Sequence, residues 1–506
     1  MSVAAPVPVS LARVIARLQA DGLLLSAPAA EPLLSGISDD SRRVAAGDLF
    51  CAWAGTSSDA HAFVPAARAA GAAAALVERA LPDVDLPQVL VSDGRRAAAA
   101  AAMVVLGDPA ARLKLAGVTG TNGKSTTVWM LRYILSARAP AASIGTLGVR
   151  RSDGSLVPGT ADLTTPGPVD LARTLRELVD GGVRFVAMEV SSHSLDQGRV
   201  AALRYDVAVF TNLTRDHLDY HGTLEAYRAA KLLLLDLLQP DATVVVNADD
   251  PAWQGVEARA PHGLRFSRRD RSAEIRADGV HLSASGARFR LLTPEGAADA
   301  RIPLVGDYNV DNALGATAVA LALGASLHEV VDRLATLPQV PGRLEKLTED
   351  PCPVFADYAH TPDALARALA ALRPLVAGRL IVVFGAGGDR DRGKRPLMAA
   401  AAEAGADVVI ATSDNPRTEE PDAILDEIVA GFTRTGWIRI TDRRAAIGRA
   451  LAEGRPGDAI LLAGKGHETY QIVGTEKRHF DEREVVAEWK AAHGRTSGRE
   501  GEEVRA

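Results

Sequence analysis

Apolar runs that end abruptly in polar residues alternate with helix-patterned stretches along most of the chain. VRFVAM is followed by Glu189, YDVAVF by Thr211 and ATVVV by Asn247. Near-continuous apolar runs between helical patterns are typical of parallel sheets that are covered on both faces. Such sheets bind ligands at the carboxyl ends of their strands, so these polar residues predict a functional edge.

The same alternation recurs in three α/β units of different size. Pro338, Pro341 and Gly342 interrupt a helical pattern and predict a boundary. In the first unit, GISDDSRRVAAGDLFCAWAG predicts a strand pair around a polar turn, and residues 254–305 predict a small β insertion. A length of 506 residues agrees with three domains. We therefore predict a small α/β N-terminal domain at 1–110, a central P-loop ATPase-like parallel-sheet domain at 111–340, a Rossmann-like C-terminal domain at 341–492 and a disordered tail at 493–506.

Composition excludes two classes of partner. The net charge is −6, so the chain has no basic footprint for nucleic acid. No stretch of about 18 strongly apolar residues predicts membrane insertion, and the N-terminus lacks a secretory pattern. Cys51 and Cys352 lie far apart in apolar surroundings, as expected for buried free thiols in a reducing compartment. We expect a cytoplasmic protein.

A glycine-rich loop follows the apolar run LAGV and precedes the helical pattern VWMLRYIL. Its residues are Gly120, Thr121, Asn122, Gly123, Lys124, Ser125 and Thr126. Glycines let backbone N–H groups converge on phosphate oxygens at a helix N-terminus. Lys124 would reach the outer phosphates, and Ser125 would face Mg²⁺. Val118 occupies the first glycine position of the common Walker A spacing. An ordinary tight turn is the alternative, but the strand–loop–helix setting favours nucleotide binding.

Two further strand ends supply candidate metal ligands. Mg²⁺ prefers oxygen ligands, which suits Glu189 and Ser125, whereas His217 is a less usual ligand. Both Glu189 and His217 are expected to converge on the glycine loop. Lys231 lies at the polar edge of an apolar helix, a position where lysines usually extend towards solvent.

Charged residues follow the apolar runs of the third unit. These loops contain DYAHTP, GAGGDRDRGKRP, SDNPR and GKGHE. Arginine guanidinium groups match carboxylates and phosphates, so the loops predict a charged, amino-acid-like ligand. The glycine cluster at 385–388 does not match G-x-G-x-x-G, which argues against a dinucleotide site.

The set of motifs resembles the Mur ligase family, in particular its members that extend the muramoyl dipeptide. The resemblance covers nearly the whole chain through TGTNGKST, MEVSSHSLDQGR, NLTRDHLDYHGTLEAYRAAK, GDYNVDNALGA, VPGRLE, DYAHTPDAL, GGDRDRGKRPLM, DNPR and GKGHETYQ. It implies an ATP-dependent amide ligase of peptidoglycan precursor synthesis that adds meso-2,6-diaminopimelate to UDP-MurNAc-L-Ala-D-Glu. The resemblance also implies that two Mg²⁺ ions bind and that the protein is a monomer.

The resemblance also implies roles for individual residues. Catalytic roles fall on Lys124, Glu189, His217 and Lys231. Metal ligands are Ser125, Glu189, His217 and Lys231, the last as a carbamate. Besides the glycine loop from Gly120 to Thr126, ATP contacts fall on Asn309, Asn312, Arg343 and Asp357. Contacts to the UDP-MurNAc-dipeptide fall on Asp39, Ser41, Thr56, Ser57, Ser58, Thr164, Thr165, Ser191, Gln197 and Arg199. Contacts to diaminopimelate fall on Arg390, Asp414, Asn415, Pro416, Arg417, Gly464 and Glu468.

Two alternative hypotheses for the function remain. A sister enzyme, such as a lysine-adding ligase or a folylpolyglutamate synthase, would share the ATP motifs, but the intact DNPR and the long N-terminal unit argue against it. A non-catalytic nucleotide-dependent binding protein would not need Lys124, Glu189, His217 and Lys231 together.

Overall fold

Helices and strands alternate throughout the computed structural model, which describes residues 7–55, 58–160 and 163–493. These residues group into two compact units. The first unit holds those of 1–278, 290–298 and 311–334, and the second holds those of 279–289, 299–310 and 335–493. The expected α/β fold class with three main sheets is confirmed. The domain boundaries at 110 and 340 stay predictions. None of the helices in the described ranges has the length and apolar character of a membrane span.

A five-stranded sheet forms the N-terminal part of the first unit. Its strand order is β2-β7-β6-β5-β4, parallel except for β2, and the expected strand pair around the polar turn is the parallel pair β4 and β5. The elements are β1 Val9–Ser10, α1 Leu11–Ala20, β2 Leu24–Ser26, β3 Leu33–Leu34, β4 Gly36–Ser38, β5 Asp48–Cys51, α2 Val64–Ala69, β6 Ala74–Val77, β7 Gln88–Val91 and α3 Gly94–Val105.

The central sheet runs in the order β10-β9-β11-β8-β12-β13-β14 and continues into β15. Only β10 is antiparallel to its neighbour within this run. Of residues 254–305, for which the sequence predicted a small β insertion, β14 belongs to the parallel part of the central sheet, and β15 to β17 extend the same sheet. The elements are β8 Lys114–Thr119, α4 Lys124–Leu135, β9 Ala141–Gly145, β10 Gly148–Arg150, α5 Pro168–Asp180, β11 Phe185–Glu189, α6 Ser192–Asp196, β12 Tyr205–Phe210, α7 Leu218–His221, α8 Leu224–Leu232, β13 Leu238–Asn247, β14 His262–Ser267, β15 Ile275–Ser283, β16 Gly286–Thr293, β17 Gly296–Ile302, α9 Tyr308–Ala322 and α10 Leu327–Ala335.

The second unit contains a six-stranded sheet in the order β18-β19-β23-β20-β21-β22, parallel except for β18. The last helix ends at His493, so that residue is helical rather than part of the predicted tail, and 494–506 lie outside the described residues. The elements are β18 Glu345–Thr348, β19 Val354–Asp357, α11 Pro362–Leu372, β20 Leu380–Phe384, α12 Lys394–Gly405, β21 Val408–Ala411, α13 Pro421–Val429, β22 Ile438–Arg439, α14 Arg443–Glu453, β23 Ala459–Ala463, β24 Tyr470–Val473, β25 Glu476–His479 and α15 Glu482–His493.

Side-chain caps fix where several helices begin. The Asp93 carboxylate accepts hydrogen bonds from two backbone N–H groups at the start of α3, and Thr361 accepts one from Ala364 N–H at the start of α11. Such caps satisfy backbone donors that a helix leaves unpaired. The strands between the helices are apolar and buried, which places the polar strand ends at the sheet edges.

Candidate active site

The glycine loop lies between β8 and α4, and β8 is the strand between β11 and β12 in the sheet. Gly120 and Gly123 have φ angles of +144° and +86°, in the region that favours glycine. A Cβ added to Gly123 would lie 2.4 Å from Asn312 Oδ1. The Lys124 ammonium donates to the carbonyl oxygens of Gly120 and Thr121, at 2.9 and 2.8 Å. This strand–loop–helix arrangement is typical of phosphate binding.

The residues after β12 brace the glycine loop. The backbone N–H of Thr121 donates to the Asn212 carbonyl at 2.7 Å, and that of Asn122 donates to Asn212 Oδ1 at 2.8 Å. The Thr211 hydroxyl donates to the Asn122 carbonyl at 2.7 Å. The sequence places Thr211 directly after a strand and predicts no role for either residue, because only the fold shows that they hold the loop.

Lys231 is buried beneath the glycine loop, with 1% of its surface exposed. Its Nζ donates to the Gly120 carbonyl at 2.8 Å and lies 4.2 Å from the centre of the Tyr227 ring. Burial lowers the pKa of Lys231 to about 6, and the charge of Lys124 adds to the shift. The interpretation of Lys231 as a solvent-directed surface lysine is therefore wrong.

Two of the predicted metal ligands offer oxygen atoms on neighbouring elements. Ser125 is buried in the first turn of α4, and Glu189 is buried at the end of β11. The Glu189 carboxylate accepts hydrogen bonds from the backbone N–H and the hydroxyl of Thr146, at 2.8 and 3.2 Å. A carboxylate has lone pairs beyond these two bonds, so this donor set fits a hard cation such as Mg²⁺.

His217 differs from these two groups in its surroundings. It has a φ of +53°, and its half-exposed ring packs edge-on against His193 with 4.8 Å between ring centres. Its Nε2 lies 3.5 Å from the Asp216 carboxylate. Within the described ranges no three His, Cys, Asp or Glu side chains are grouped as a metal site. The predicted convergence of His217 and Glu189 stays a prediction.

Residues predicted to bind the dipeptide gather around the end of β11. The Thr165 hydroxyl donates to the Glu189 carbonyl at 2.9 Å and lies 3.5 Å from Ser191 Oγ. The Arg199 guanidinium forks onto Gln197 Oε1 and donates to the Thr165 carbonyl at 3.1 Å. The Thr164 and Thr146 hydroxyls are 3.1 Å apart.

The other residues predicted to contact the UDP-MurNAc-dipeptide belong to the N-terminal part of the same unit, where the resemblance implies that the uridine end binds. Burial and the nearby Asp170 carboxylate raise the pKa of Asp39. Ser41 begins a short 3-10 helix, and the Ser58 carbonyl accepts a hydrogen bond from Gly55 N–H at 2.9 Å. Thr56 and Ser57 lie outside the described residues.

Two of the predicted ATP contacts in the second unit lie next to the first two strands of its sheet: Arg343 precedes β18, and Asp357 ends β19. The Arg343 guanidinium lies 5.4 Å from the centre of the Tyr358 ring. The Asp357 carboxylate accepts a hydrogen bond from Leu344 N–H at 2.7 Å, and burial raises the pKa of Asp357 to about 6. Asn309 is buried and donates to the Val305 carbonyl at 2.7 Å. In the first unit, Asn312 faces the glycine loop.

The DNPR loop meets the GKGHE loop at the carboxyl edge of the second unit's sheet. Asn415 Nδ2 donates to the Glu468 carboxylate at 2.9 Å. A Cβ added to Gly464 would lie 2.5 Å from Asp414 Oδ2, so glycine permits this approach. The Arg417 guanidinium donates to the Gly388 carbonyl at 2.8 Å.

Two other predicted diaminopimelate contacts flank this meeting point. The Arg390 guanidinium donates to the Asp389 carbonyl at 3.2 Å, and the Pro416 carbonyl would lie 1.9 Å from a Cβ added to Gly388. Lys465, for which we predicted no role from the sequence, is fully buried between the two loops. Its position inside the quoted GKGHE motif was the only sequence signal.

Substitution of Gly123 by alanine is expected to raise KM for ATP about tenfold or more, because the added methyl group meets Asn312 in a left-handed backbone region that costs about 1–2 kcal/mol for other residues. Gly255→Ala is the matched control, since Gly255 has a φ of +76° with open space around its Cβ position. Steady-state kinetics on both variants measures the difference. Equal KM values for ATP in the two variants would contradict the packing argument.

Comparisons with known proteins agree with this geometry. The Mur ligase middle domain matches residues 118–320, and the Mur ligase glutamate ligase domain matches 342–466. A UDP-N-acetylmuramoyl-L-alanyl-D-glutamate--2,6-diaminopimelate ligase from Geobacillus kaustophilus is 46% identical over 90% of this chain and 94% of its own. A protein of the same name from Geobacter metallireducens is 42% identical over 94% and 97%.

A solved structure with that name is 34% identical, covers 97% of this chain and 100% of its own, and superposes with a TM-score of 0.71. The identity extends across both matched domains and the N-terminal sheet. The chain belongs to the Mur ligase family.

Proposed function

We propose that this protein is an ATP-dependent ligase that joins meso-2,6-diaminopimelate to the side-chain carboxylate of D-glutamate in UDP-MurNAc-L-Ala-D-Glu, a step of peptidoglycan precursor synthesis. ATP phosphorylates that carboxylate, which gives an acyl phosphate and ADP. An amine of the diaminopimelate attacks the acyl phosphate, and the tetrahedral intermediate collapses to an amide and phosphate. The named relatives at 42–46% identity support this activity over sister activities of the family.

The observation that carries the choice of amino acid is the cluster formed by the DNPR and GKGHE loops. The far end of meso-diaminopimelate has both an ammonium and a carboxylate. Glu468 would take the ammonium, and Arg417 would fork onto the carboxylate. Lysine lacks the second carboxylate, so it would leave the Arg417 guanidinium without its partner.

The glycine loop and its lysine would act on the nucleotide. Backbone N–H groups at the start of α4 bind phosphate oxygens, and Lys124 neutralises charge on the outer phosphates. Catalysis in this reaction is mainly positioning and charge stabilisation. Thr165, Gln197 and Arg199 would hold the dipeptide beside Glu189, and this would bring the terminal carboxylate of the dipeptide near the phosphate loop.

Mg²⁺ would be held by Ser125, Glu189 and His217, with a carbamate on Lys231 for a second ion. When bound, Mg²⁺ supplies positive charge that stabilises the phosphate oxygens during transfer. The protein's own contribution is a pair of buried oxygen donors, Ser125 in the first turn of α4 and Glu189 at the end of β11. We also propose a cytoplasmic location and a monomeric state, as the resemblance implies.

The test is phosphate release by the purified protein with ATP, Mg²⁺ and UDP-MurNAc-L-Ala-D-Glu. We expect turnover with meso-diaminopimelate and little with L-lysine. Turnover with lysine alone would keep the family and reverse the choice of amino acid. No turnover with either amino acid would favour the non-catalytic alternative.

Acid is expected to weaken ATP binding through Asp357. Its pKa of about 6 leaves the carboxylate ionised above that pH and protonated below it, so an acceptor for the nucleotide is lost as the pH falls. KM for ATP should rise as the pH falls below about 6, whereas Asp357→Asn should show a high KM with this transition removed. Asp426→Asn is the control. Asp426 is an exposed carboxylate on α13, a helix of the same unit, so this variant should keep the wild-type profile. A wild-type profile in Asp357→Asn would refute the assignment.

A further inference from the structure

Lys465 is a fully buried lysine at the centre of the loop cluster described above. Its ammonium donates to Asn415 Oδ1 at 3.0 Å and to the Tyr470 carbonyl at 2.7 Å. It also lies 3.4 Å from the Asp414 carboxylate and 3.5 Å from the Glu468 carboxylate. One ammonium therefore contacts three side chains that are predicted to bind the amino acid.

We propose that Lys465 is a positioning residue that fixes the charge and the orientation of the amino-acid site. The inference rests on the proposed function and assigns a role to a residue outside the predicted contact set. Burying a lysine is costly unless it is paired and hydrogen-bonded, and this one has both kinds of partner. A side chain so placed organises the groups around it.

The first consequence is a balance of charge. Asp414 and Glu468 bring two negative charges to one buried location, and Lys465 compensates one of them. The remaining negative charge matches the ammonium of the substrate, and Arg417 matches its carboxylate. The formal charges of Asp414, Glu468, Lys465 and Arg417 thus cancel, as do those of the zwitterionic end of the ligand that they would bind.

The second consequence is the orientation of Asn415. Its Oδ1 accepts from Lys465 and from Ile472 N–H at 2.9 Å, so its Nδ2 must point to Glu468. Both polar atoms of the Asn415 side-chain amide are therefore hydrogen-bonded to residues of the GKGHE loop and of β24. This arrangement fixes the orientation of the Glu468 carboxylate before the substrate binds.

Electrostatics agrees with this role. Burial would raise the pKa of Asp414, but Lys465 and Arg443 together lower it below its usual value. Burial raises the pKa of Glu468, and Lys465 opposes that shift. The two carboxylates interact with one another. The other titratable or charged groups that face them are Lys465, Arg443, His360, Lys394, Tyr358 and Tyr470.

The test is the substitution Lys465→Met, which keeps most of the apolar volume of the side chain but removes the charge. We expect KM for diaminopimelate to rise about 10- to 100-fold, as for loss of a charged hydrogen-bonding partner, with KM for ATP and for the dipeptide within about twofold of wild type. Without the cation, each carboxylate raises the pKa of the other. On acidification, kcat/KM for diaminopimelate should therefore begin to decrease at a higher pH than in the wild type.

Two further variants separate positioning from stability. Lys477→Met changes an exposed lysine that stacks on Tyr470 and should leave KM and the pH profile unchanged. Lys465→Arg keeps the charge and should return the pH profile towards wild type, and it carries the test if Lys465→Met does not fold. An unchanged KM for diaminopimelate in folded Lys465→Met, or a shifted pH profile in Lys465→Arg, would overturn the proposal. Wild-type protein without diaminopimelate-dependent turnover would instead reject the proposed function.

Discussion

Lys231→Ala is expected to lower kcat on the order of 10²–10³-fold, the loss seen when a group that stabilises developing charge is removed. The structure supplies the chemical reason. A pKa of about 6 leaves about nine-tenths of the amine neutral at pH 7, whereas an ordinary lysine is about 0.04% neutral there. Only the neutral amine reacts with carbon dioxide to form a carbamate. Burial thus converts a cation into a group that can become an anion beneath the phosphate loop.

The test of this prediction is chemical rescue. Acetate should partly restore turnover in Lys231→Ala, because its carboxylate can occupy the space of the lost carbamate. Glu225→Ala, an exposed change on the same helix α8, should stay within about twofold of wild type and show no response to acetate. Turnover like that of wild type in Lys231→Ala would falsify the carbamate role.

Lys124→Ala is expected to lower kcat/KM for ATP about 10³-fold, because phosphoryl transfer depends on positive charge held at the outer phosphates. In the structure this ammonium donates to two carbonyl oxygens of its own loop. Those bonds hold the lysine over the phosphate cradle, from which it can turn to a nucleotide. Its removal loses both the charge and a brace of the loop.

Nucleotide binding and turnover can be measured separately for this variant. We expect weaker binding of ADP by calorimetry together with the loss of phosphate release. Lys114→Ala is the control: it removes a lysine of the same strand region, whose side chain is mostly exposed and pairs with Asp206. Undiminished phosphate release by Lys124→Ala would exclude a role in catalysis.

The sequence predicted the fold through features that are local. Strand ends at Glu189, Asn247 and Asp357 were visible because apolar runs stop there, and the structure ends β11, β13 and β19 at these residues. The glycine loop was visible because its residues are contiguous. Patterns of this kind need no knowledge of distant contacts.

Contacts between distant residues could not be predicted in the same way. Lys231 has the sequence surroundings of a surface lysine, yet it bonds to Gly120 across 111 positions. Lys465 reaches Asn415 across 50 positions, and Asn212 bonds to the glycine loop across 90. Burial of a charged side chain depends on which strands become neighbours, and a single sequence does not reveal that.

The alanine helix α3 has a consequence for which precursors fit. Ala97 to Ala102 are buried, and α3 packs against α1 of the N-terminal part and α5 of the central part. Alanine has no side-chain rotamers, so this contact cannot widen or slide by changing them. The residues proposed for the two ends of the precursor belong to this one compact unit. We therefore expect this unit to discriminate precursors by length, because a precursor with one amino acid too few or too many would carry its terminal carboxylate away from the phosphate loop.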